Sequence, residues 1–231
     1  MASHLLIALL VTATFAALAY ALGMVSRDGA LGGLVVGTLI YASLGPQGFA
    51  VLALFVVGAS LLTRLGYRSK QRAGTAQERG GRRGAKNAFA NCTVAVLCAV
   101  LAAATGFPTF AAAFAASLGA AFADSAESEV GQAYGCTPRL ITTFRRVPPG
   151  TDGAVSLPGT LAGIATATGT ATLCLALGLL GDAGTMLLVT LAAFLGTVTD
   201  SLIGARSPRI GNEATNLLCT LVAAVLTLAF T

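Results

Sequence analysis

Long runs of apolar residues, separated by short polar segments, make up most of the chain. Eight runs can be delimited: residues 3–25, 30–45, 48–66, 88–106, 108–124, 154–180, 184–204 and 213–230. A helix needs about 20 apolar residues to cross the hydrocarbon core of a bilayer, and most runs approach or exceed that length. The pattern predicts an all-α fold, a polytopic bundle of about eight transmembrane helices. The second and fifth runs are shorter, which indicates tilt or partial burial within the bundle.

The composition argues for a membrane protein and against a soluble domain. Hydrophobic residues make up 55% of the 231 residues and charged residues 10%, whereas soluble domains carry about 25% charged residues. The 28 glycines suit close approach between transmembrane helices. We expect residues 1–231 to form a single integral membrane domain.

The basic residues fall into four groups, which an eight-span topology places on one side of the membrane. They are Arg27; Arg64, Arg68, Lys70, Arg72, Arg79, Arg82, Arg83 and Lys86; Arg139, Arg145 and Arg146; Arg206 and Arg209. The intervening turns, near Pro46, Phe107 and Gly181, carry none. The positive-inside rule makes the basic side cytoplasmic. We therefore expect a protein of the cell membrane whose site faces the cytoplasm and whose two termini lie outside.

The charge and the cysteines exclude several other classes of site. The net charge of +5 is concentrated in one loop, which is typical of a basic segment beside anionic headgroups and does not indicate nucleic acid. The cysteines show no paired ligand spacing, and four of them lie in apolar runs: Cys92, Cys98, Cys136, Cys174 and Cys219 are the full set. We expect neither a disulfide nor a zinc site.

Two segments on the basic side are long. Residues 67–87 are rich in glycine and arginine, a composition typical of a mobile loop. Residues 125–153 contain a short β-branched stretch, 140–144, between Pro138 and a Pro-Pro-Gly turn signal at 148–150. We expect this second segment to be ordered and to fold back on the bundle.

Three carboxylates follow directly on an uncharged run: Asp124, Glu127 and Glu129 come after residues 107–123. On a continuing helix Asp124 and Glu127 share a face, and Glu129 points elsewhere. One interpretation is a helix end that frays into water. The other is a magnesium site, because hard oxygen ligands suit that ion together with phosphate oxygens and waters. Asp200 ends another apolar run in a similar Asp-Ser pair, and is a candidate for a further ligand.

Candidate phosphate-binding groups lie on the same side. The turn PPGTDG (148–153) offers backbone amides around Gly150, Thr151 and Gly153, although a Gly-Lys-Ser/Thr motif is absent. Arginine can hold phosphate through paired hydrogen bonds. The candidate cations are Arg64, Lys86, Arg139, Arg145 and Arg146, and the candidate amides are Asn91, Asn212 and Asn216, which otherwise serve as helix caps or interhelical hydrogen bonds.

Carboxylates, arginines, amides and a glycine turn at one interface indicate phosphoryl chemistry with a metal, and a lipid-soluble substrate portion within the bundle. A transporter or lipid-binding scaffold is the alternative from another class, because acids inside membranes also mark ion pathways. The acids lie at one interface and none lies at mid-span, which favours the enzyme.

Several motifs resemble those of the phytyl-phosphate kinase-like integral membrane proteins, a family long known only as a domain of unknown function. The run ADSAESEVG (123–131) is similar to the family signature Ala-Asp-Thr-x-Ala-Ser/Thr-Glu-Ile-Gly. The match continues in family order from about residue 58 to the C-terminus, through SLLTRLG, RRGAKNAFAN, PRLITTFRRVPPGTDGAVSLPGTLAG, GTVTDSLIGA and IGNEATNLLCTL. The third of these blocks is the most specific.

The resemblance implies a kinase that transfers a phosphoryl group from a nucleoside triphosphate to an isoprenyl or phytyl monophosphate, giving the diphosphate. CTP is favoured over ATP, because related phytol and dolichol kinases use CTP. The family's acids map onto Asp124, Glu129 and Asp200, which with Arg139 are the expected catalytic residues. The chain departs from the family at Glu127, where relatives have a small residue.

Several points stay open at this level. The candidate magnesium ligands are Asp124, Glu127, Glu129 and Asp200, without a choice between the two glutamates. Within lipid chemistry, a lipid cytidylyltransferase or a prenyl-alcohol kinase on the same scaffold is the alternative. A homodimer is also left open, and the lipid bilayer and a prenyl-phosphate lipid are the expected partners.

Overall fold

The computed structural model describes residues 2–135, 137–207 and 210–231, and most of them are helical. Seven helices in this part of the chain are long and apolar enough to cross a membrane. The all-α membrane bundle expected from the sequence is confirmed. The elements are α1 (Ala2–Ala21), α2 (Arg27–Arg64), α3 (Tyr67–Arg72), α4 (Glu78–Gly81), α5 (Ala85–Thr105), α6 (Pro108–Tyr134), β1 (Arg139–Leu140), β2 (Ala154–Val155), α7 (Leu157–Ala176), α8 (Ala183–Arg206) and α9 (Asn212–Phe230).

The long helix α2 contains two spans, because it turns back on itself at Gly45. This glycine has φ 64° and ψ −160°, well outside the helical region. A Cβ on Gly37 would lie 3.6 Å from Leu52 Cδ2, although fifteen residues of straight helix cover about 22 Å. The halves 27–44 and 46–64 are therefore antiparallel, which gives the eight spans that the sequence predicts.

Helix α6 occupies the centre of the bundle. Residues 112–123 are all buried, and α5, α7, α8 and α9 pack around them. Small residues permit the close packing: a Cβ on Gly196 of α8 would lie 2.6 Å from Cys219 O of α9 and 3.3 Å from Ala120 Cβ of α6. The fifth apolar run, which forms the first part of α6, is surrounded mostly by protein, in agreement with the burial expected for a short span.

Several predicted boundaries are wrong. The helix α6 does not end at residue 124 but continues to Tyr134, so all three clustered carboxylates lie on one regular helix. The first span ends at Ala21 rather than at residue 25. The sixth begins at Leu157 rather than at residue 154, because Ser156 caps α7 by accepting a hydrogen bond from Gly159 N at 3.3 Å.

The prediction of a mobile loop over residues 67–87 is also wrong. The segment contains α3 and α4, and the side chain of Lys70 is buried, with Nζ donating to Thr63 O of α2 at 2.9 Å. Its end is tied to the turn between α1 and α2, because Ser26 N donates to Arg83 O at 3.1 Å and Arg83 N to Met24 O at 3.2 Å.

The second long segment is ordered, as expected. The strands β1 and β2 pair antiparallel, with Arg139 opposite Val155 and Leu140 opposite Ala154. Ile141 N extends the pairing by donating to Gly153 O at 3.0 Å. This β-hairpin holds the PPGTDG turn against the end of the bundle.

The two ends of the bundle differ in charge. The described Lys and Arg residues all lie on the segments at the end that carries the β-hairpin, which we call the basic end, while Arg209 is outside the described residues. The turns at Gly45, Gly106 and Gly178 form the opposite end. The cysteines at 92, 98, 174 and 219 are buried free thiols, and Cys136 is outside the described residues.

Candidate active site

A polar cavity of about 320 Å³ opens at the basic end. This volume lies within the range of small-molecule sites. The last turns of α6 and α8, the hairpin turn, and the first turns of α5, α7 and α9 supply its walls. Nine residues selected from the sequence line it: Asp124, Glu127, Glu129, Gly150, Thr151, Gly153, Asp200, Asn212 and Asn216.

Three of the lining carboxylates come together from two helices. Asp124 and Glu127 lie on α6 and Asp200 lies on α8. The negative charges of Glu127 and Asp200 repel that of Asp124, and the guanidinium of Arg83 attracts it. Within the described chain, Asp200 Oδ1 is buried without a hydrogen-bond partner, which is costly for a carboxylate oxygen unless a ligand satisfies it. The three carboxylates thus form a negatively charged cluster in which one buried oxygen of Asp200 is left unsatisfied.

Glu127 is packed between three helices. Its Oε1 accepts a hydrogen bond from Thr197 Oγ1 of α8 at 2.9 Å. On α7, a Cβ at Gly163 would lie 2.3 Å from Glu127 Oε1, and one at Gly159 would lie 2.6 Å from Glu127 O. Gly163 thus makes room for the glutamate side chain, at a position where the related family has a small residue, and Gly159 lets α7 approach the backbone of α6.

Glu129 already has partners for both oxygens. Its Oε2 forms a close ion pair with Lys70 Nζ, and its Oε1 accepts a hydrogen bond from Thr63 Oγ1 at 2.7 Å. The side chains of Lys70 and Glu129 are 0% and 3% exposed. In this conformation Glu129 acts as the counter-ion of a buried lysine, and binding a metal would require that pair to separate.

Arg83 is a cation of the cavity wall that the sequence reasoning did not select. Its Nη1 donates to Ser125 Oγ at 3.2 Å and to Asn87 Oδ1 at 3.4 Å, while its buried Nε has no partner among the described residues. Burial lowers the pKa of Arg83 and the charges of Glu129 and Asp124 raise it; arginine stays protonated at neutral pH. The signal that could have found it is its place in the block RRGAKNAFAN.

The PPGTDG turn depends on two glycines with positive φ. Gly150 has φ 82° and Gly153 has φ 72°. A Cβ on Gly150 would lie 2.5 Å from Thr75 Cγ2, and a Cβ on Gly153 would lie 2.4 Å from Ala205 N. The turn thus fits between the α3–α4 segment and α8. A larger residue at either glycine would strain the backbone, so such a variant cannot by itself test phosphate binding.

The three asparagines divide between the cavity and the helix interior. Asn212 and Asn216, one turn apart at the start of α9, face the cavity. Within the described chain, Asn216 Oδ1 is buried without a partner, so this amide is a candidate for holding a ligand. Asn91 does not line the cavity, and its Nδ2 donates to Asn87 O at 2.9 Å, a hydrogen bond within α5 rather than a helix cap or an interhelical bond.

The five cations selected from the sequence are not brought to the cavity wall. Arg64 Nη2 donates to Leu22 O at 2.6 Å, and Arg139 Nη1 donates to Phe144 O at 2.8 Å. The side chains of Lys86, Arg145 and Arg146 are exposed. In this conformation none of these five side chains lines the cavity, so none is placed to contact a phosphate there.

A magnesium ion fits the carboxylates only if phosphate completes its ligands. In residues 2–135, 137–207 and 210–231 no group of three or more His, Cys, Asp or Glu is placed to hold a metal ion. Magnesium commonly takes one or two carboxylates, with substrate phosphates and waters in the other positions. Asp124 and Asp200, with the unpartnered Asp200 Oδ1, meet that smaller demand.

The comparison with known protein families points to an integral membrane family. The family described as "Integral membrane protein DUF92" matches residues 10–224. The chain belongs to this family. Its resemblance to the prenyl-phosphate kinase-like proteins is confirmed.

Three relatives span bacteria, plants and archaea. An uncharacterized membrane protein of Synechocystis, sll0875, is 41% identical over 200 residues, which cover 83% of this chain and 77% of the relative. Protein VTE6, chloroplastic, of Arabidopsis thaliana is 33% identical over 144 residues, 60% of this chain and 43% of VTE6. The uncharacterized membrane protein MJ0933 of Methanocaldococcus jannaschii is 32% identical over 208 residues, 87% of this chain and 83% of the relative. No solved structure matches the chain.

Proposed function

We propose that this protein is a prenyl-phosphate kinase. It would transfer a phosphoryl group from a nucleoside triphosphate to an isoprenyl or phytyl monophosphate and release the diphosphate. The observation that carries the proposal is one cavity in which Asp124, Asp200 and Arg83 face a glycine turn at the end of a membrane bundle. The confirmed resemblance of the chain to the prenyl-phosphate kinase-like family supports the same proposal.

The nucleophile in this reaction is an oxygen of the acceptor's phosphate. The second pKa of a phosphomonoester is about 6, so the oxygen is largely ionised at neutral pH and no side chain has to remove a proton. It attacks the terminal phosphorus of the donor. The bond from that phosphorus to the bridging oxygen breaks, and the nucleoside diphosphate leaves with the electron pair. The protein has to supply in-line positioning and charge neutralisation.

We assign the two phosphates to different groups that line the cavity. Arg83 would bind the acceptor phosphate, because it lines the cavity, carries a positive charge and has a buried Nε without a partner among the described residues. The turn 148–153 would receive the donor phosphates on backbone amides. Asn212 and Asn216 would hold the nucleotide or the transferred phosphoryl group.

Magnesium is the proposed cofactor, held by Asp124 and Asp200. When bound, it would neutralise and orient the donor phosphates. Glu127 borders the same cluster through its contact with Thr197. We do not include Glu129 among the magnesium ligands, because its carboxylate forms an ion pair with Lys70 of α3. That ion pair fixes the α3–α4 segment, and Gln77 of this segment also lines the cavity.

The experiment is product formation by the purified protein in detergent. Farnesyl and geranylgeranyl monophosphate would be offered with CTP or ATP, with and without Mg²⁺, and the products identified by mass. We expect prenyl diphosphate, faster with CTP, and a requirement for Mg²⁺. A cytidylyl product would instead show a cytidylyltransferase, and phosphorylation of the free alcohol alone would show an alcohol kinase. No donor consumption with any acceptor would contradict the kinase and favour a transporter or scaffold.

A further inference from the structure

A second cavity, lined mainly by apolar side chains, adjoins the polar one. It lies between α1, the two halves of α2 and the start of α5, with Phe15, Gly33 and Phe49 in its walls. Arg83 and Asn87 line both cavities. The apolar space therefore begins at the wall where we have placed the acceptor phosphate.

This apolar cavity extends along the helices toward the middle of the membrane. It is lined by α1 from Thr12 to Ala19 and by α2 from Gly29 to Val36 and from Phe49 to Val56. Seven residues of helix rise about 10 Å, so the cavity follows each of these helices over about that length. Small residues on α1 and the first half of α2, such as Ala16, Ala30 and Gly33, leave the space open.

We propose that this apolar cavity holds the proximal part of the acceptor's isoprenoid chain, with the phosphate bound by Arg83 at the junction. The inference rests on the proposed function and gives its acceptor a defined place. Charge complementarity supports it: the ion pairs found among the described residues, Lys70–Glu129 and Arg79–Asp28, do not include Arg83. A ligand with an anion at one end and a branched hydrocarbon at the other matches the junction.

The nucleotide does not suit the apolar side. Its ribose and base need hydrogen-bond partners, and burying polar groups without them is costly. The apolar walls of α1 and α2 offer few such partners, whereas the polar cavity offers carboxylates, amides and the hairpin turn. The two substrates would therefore reach Arg83 from opposite sides, the lipid from the bundle and the nucleotide from the basic end.

A pair of glycine substitutions tests this placement through chain-length selectivity. A Cβ on Gly33 meets no atom within 4 Å, and the same holds for Gly169 on α7, so a side chain can be introduced at either glycine without a clash at its Cβ atom. Gly33→Phe should raise KM for geranylgeranyl monophosphate at least about tenfold, the scale of steric exclusion from an apolar pocket. It should leave KM for dimethylallyl monophosphate and for the donor unchanged. Gly169→Phe is the matched control and should change neither.

A photoreactive farnesyl monophosphate tests binding without catalysis. With a diazirine on its chain and no donor present, we expect covalent labelling between Thr12 and Val56, and no displacement by excess phosphatidic acid. Arg83→Gln should abolish the labelling, and Arg82→Gln, a change at the exposed neighbour, should retain it. Labelling elsewhere, equal displacement by phosphatidic acid, or a Gly33→Phe variant that treats short and long acceptors alike would overturn the inference. If the cavity is labelled but no phosphoryl transfer occurs, the proposed function fails while the binding site stands.

Discussion

Asp124 and Asp200 reach one cavity from two helices, and the chemistry proposed here depends on their charge. Asn at either position keeps the size of the side chain but removes the charge. We expect both variants to fold and to lose prenyl-diphosphate formation by orders of magnitude, with a weaker response to Mg²⁺. Initial rates across a magnesium titration measure this. Glu213→Gln, which removes an exposed carboxylate near the cavity, is the control.

Glu127→Ala gives the comparison within the cluster. We expect a milder loss than at either aspartate, because the related family has no acid at this position and Thr197 already engages one oxygen. If both aspartate-to-asparagine variants keep near-native rates and metal dependence, these carboxylates only contact water in the cavity and the proposed metal site is wrong.

The Lys70–Glu129 pair gives a prediction about stability. Lys70→Met leaves Glu129 buried without its partner, and breaking a buried pair in this way costs about 3–5 kcal/mol. The melting temperature in detergent should fall, and the double variant Lys70→Met/Glu129→Gln should recover part of the loss because the uncompensated charge is gone. A Lys70→Met protein that melts like the parent would show that the pair is not formed.

The acids and the glycine turn could be selected from the sequence, but the choice among cations could not. Carboxylates at the end of an apolar run and a Pro-Pro-Gly turn are local signals. Which arginine points inward depends on the backbone around it. Ser26 N donates a hydrogen bond to Arg83 O at 3.1 Å, whereas the side chain of Arg82, one residue earlier, is exposed. That hydrogen bond joins residues 57 positions apart, so no local pattern predicts it.

At the scale of elements, the α2 hairpin depends on the backbone of Gly45. Its φ of 64° and ψ of −160° lie in a region open essentially to glycine, and another residue there costs about 1–3 kcal/mol. We expect Gly45→Ala to lower the melting temperature, whereas Gly169→Ala, inside a helix and facing open space, should leave it unchanged or raise it. Equal melting of the two variants would mean that α2 does not need this turn.

The apolar runs predicted the helices well and their ends less well. The extension of α6 to Tyr134 carries three carboxylates, and the sequence alone does not show that α7, α8 and Lys70 would cover them. The error over residues 67–87 has a similar cause. Glycine and arginine content indicates mobility, yet one buried lysine, paired with a glutamate 59 positions away, fixes α3 to α6.

For the molecule as a whole, the asymmetry between its ends agrees with the proposed reaction. Both the polar cavity and the described basic residues lie at one end, and the apolar cavity leads from that end into the bundle. A nucleotide is made and kept in the cytoplasm, and a prenyl phosphate is held in the membrane. A kinase that joins them needs its site where the two meet, and the positive-inside rule predicts that position for the basic end.

The orientation can be tested on intact cells with an impermeant thiol reagent. We propose that the basic end faces the cytoplasm of a cell membrane. In a background with the native cysteines replaced, Ser69→Cys on α3 and Ser207→Cys after α8 should be protected, whereas Ala183→Cys at the opposite end should be labelled, because its side chain is exposed there. Permeabilising the cells should make Ser69→Cys reactive, which controls for burial. Labelling of Ser69→Cys from outside would reverse the orientation and place the cavity away from the nucleotide pool, contradicting both the topology and the kinase.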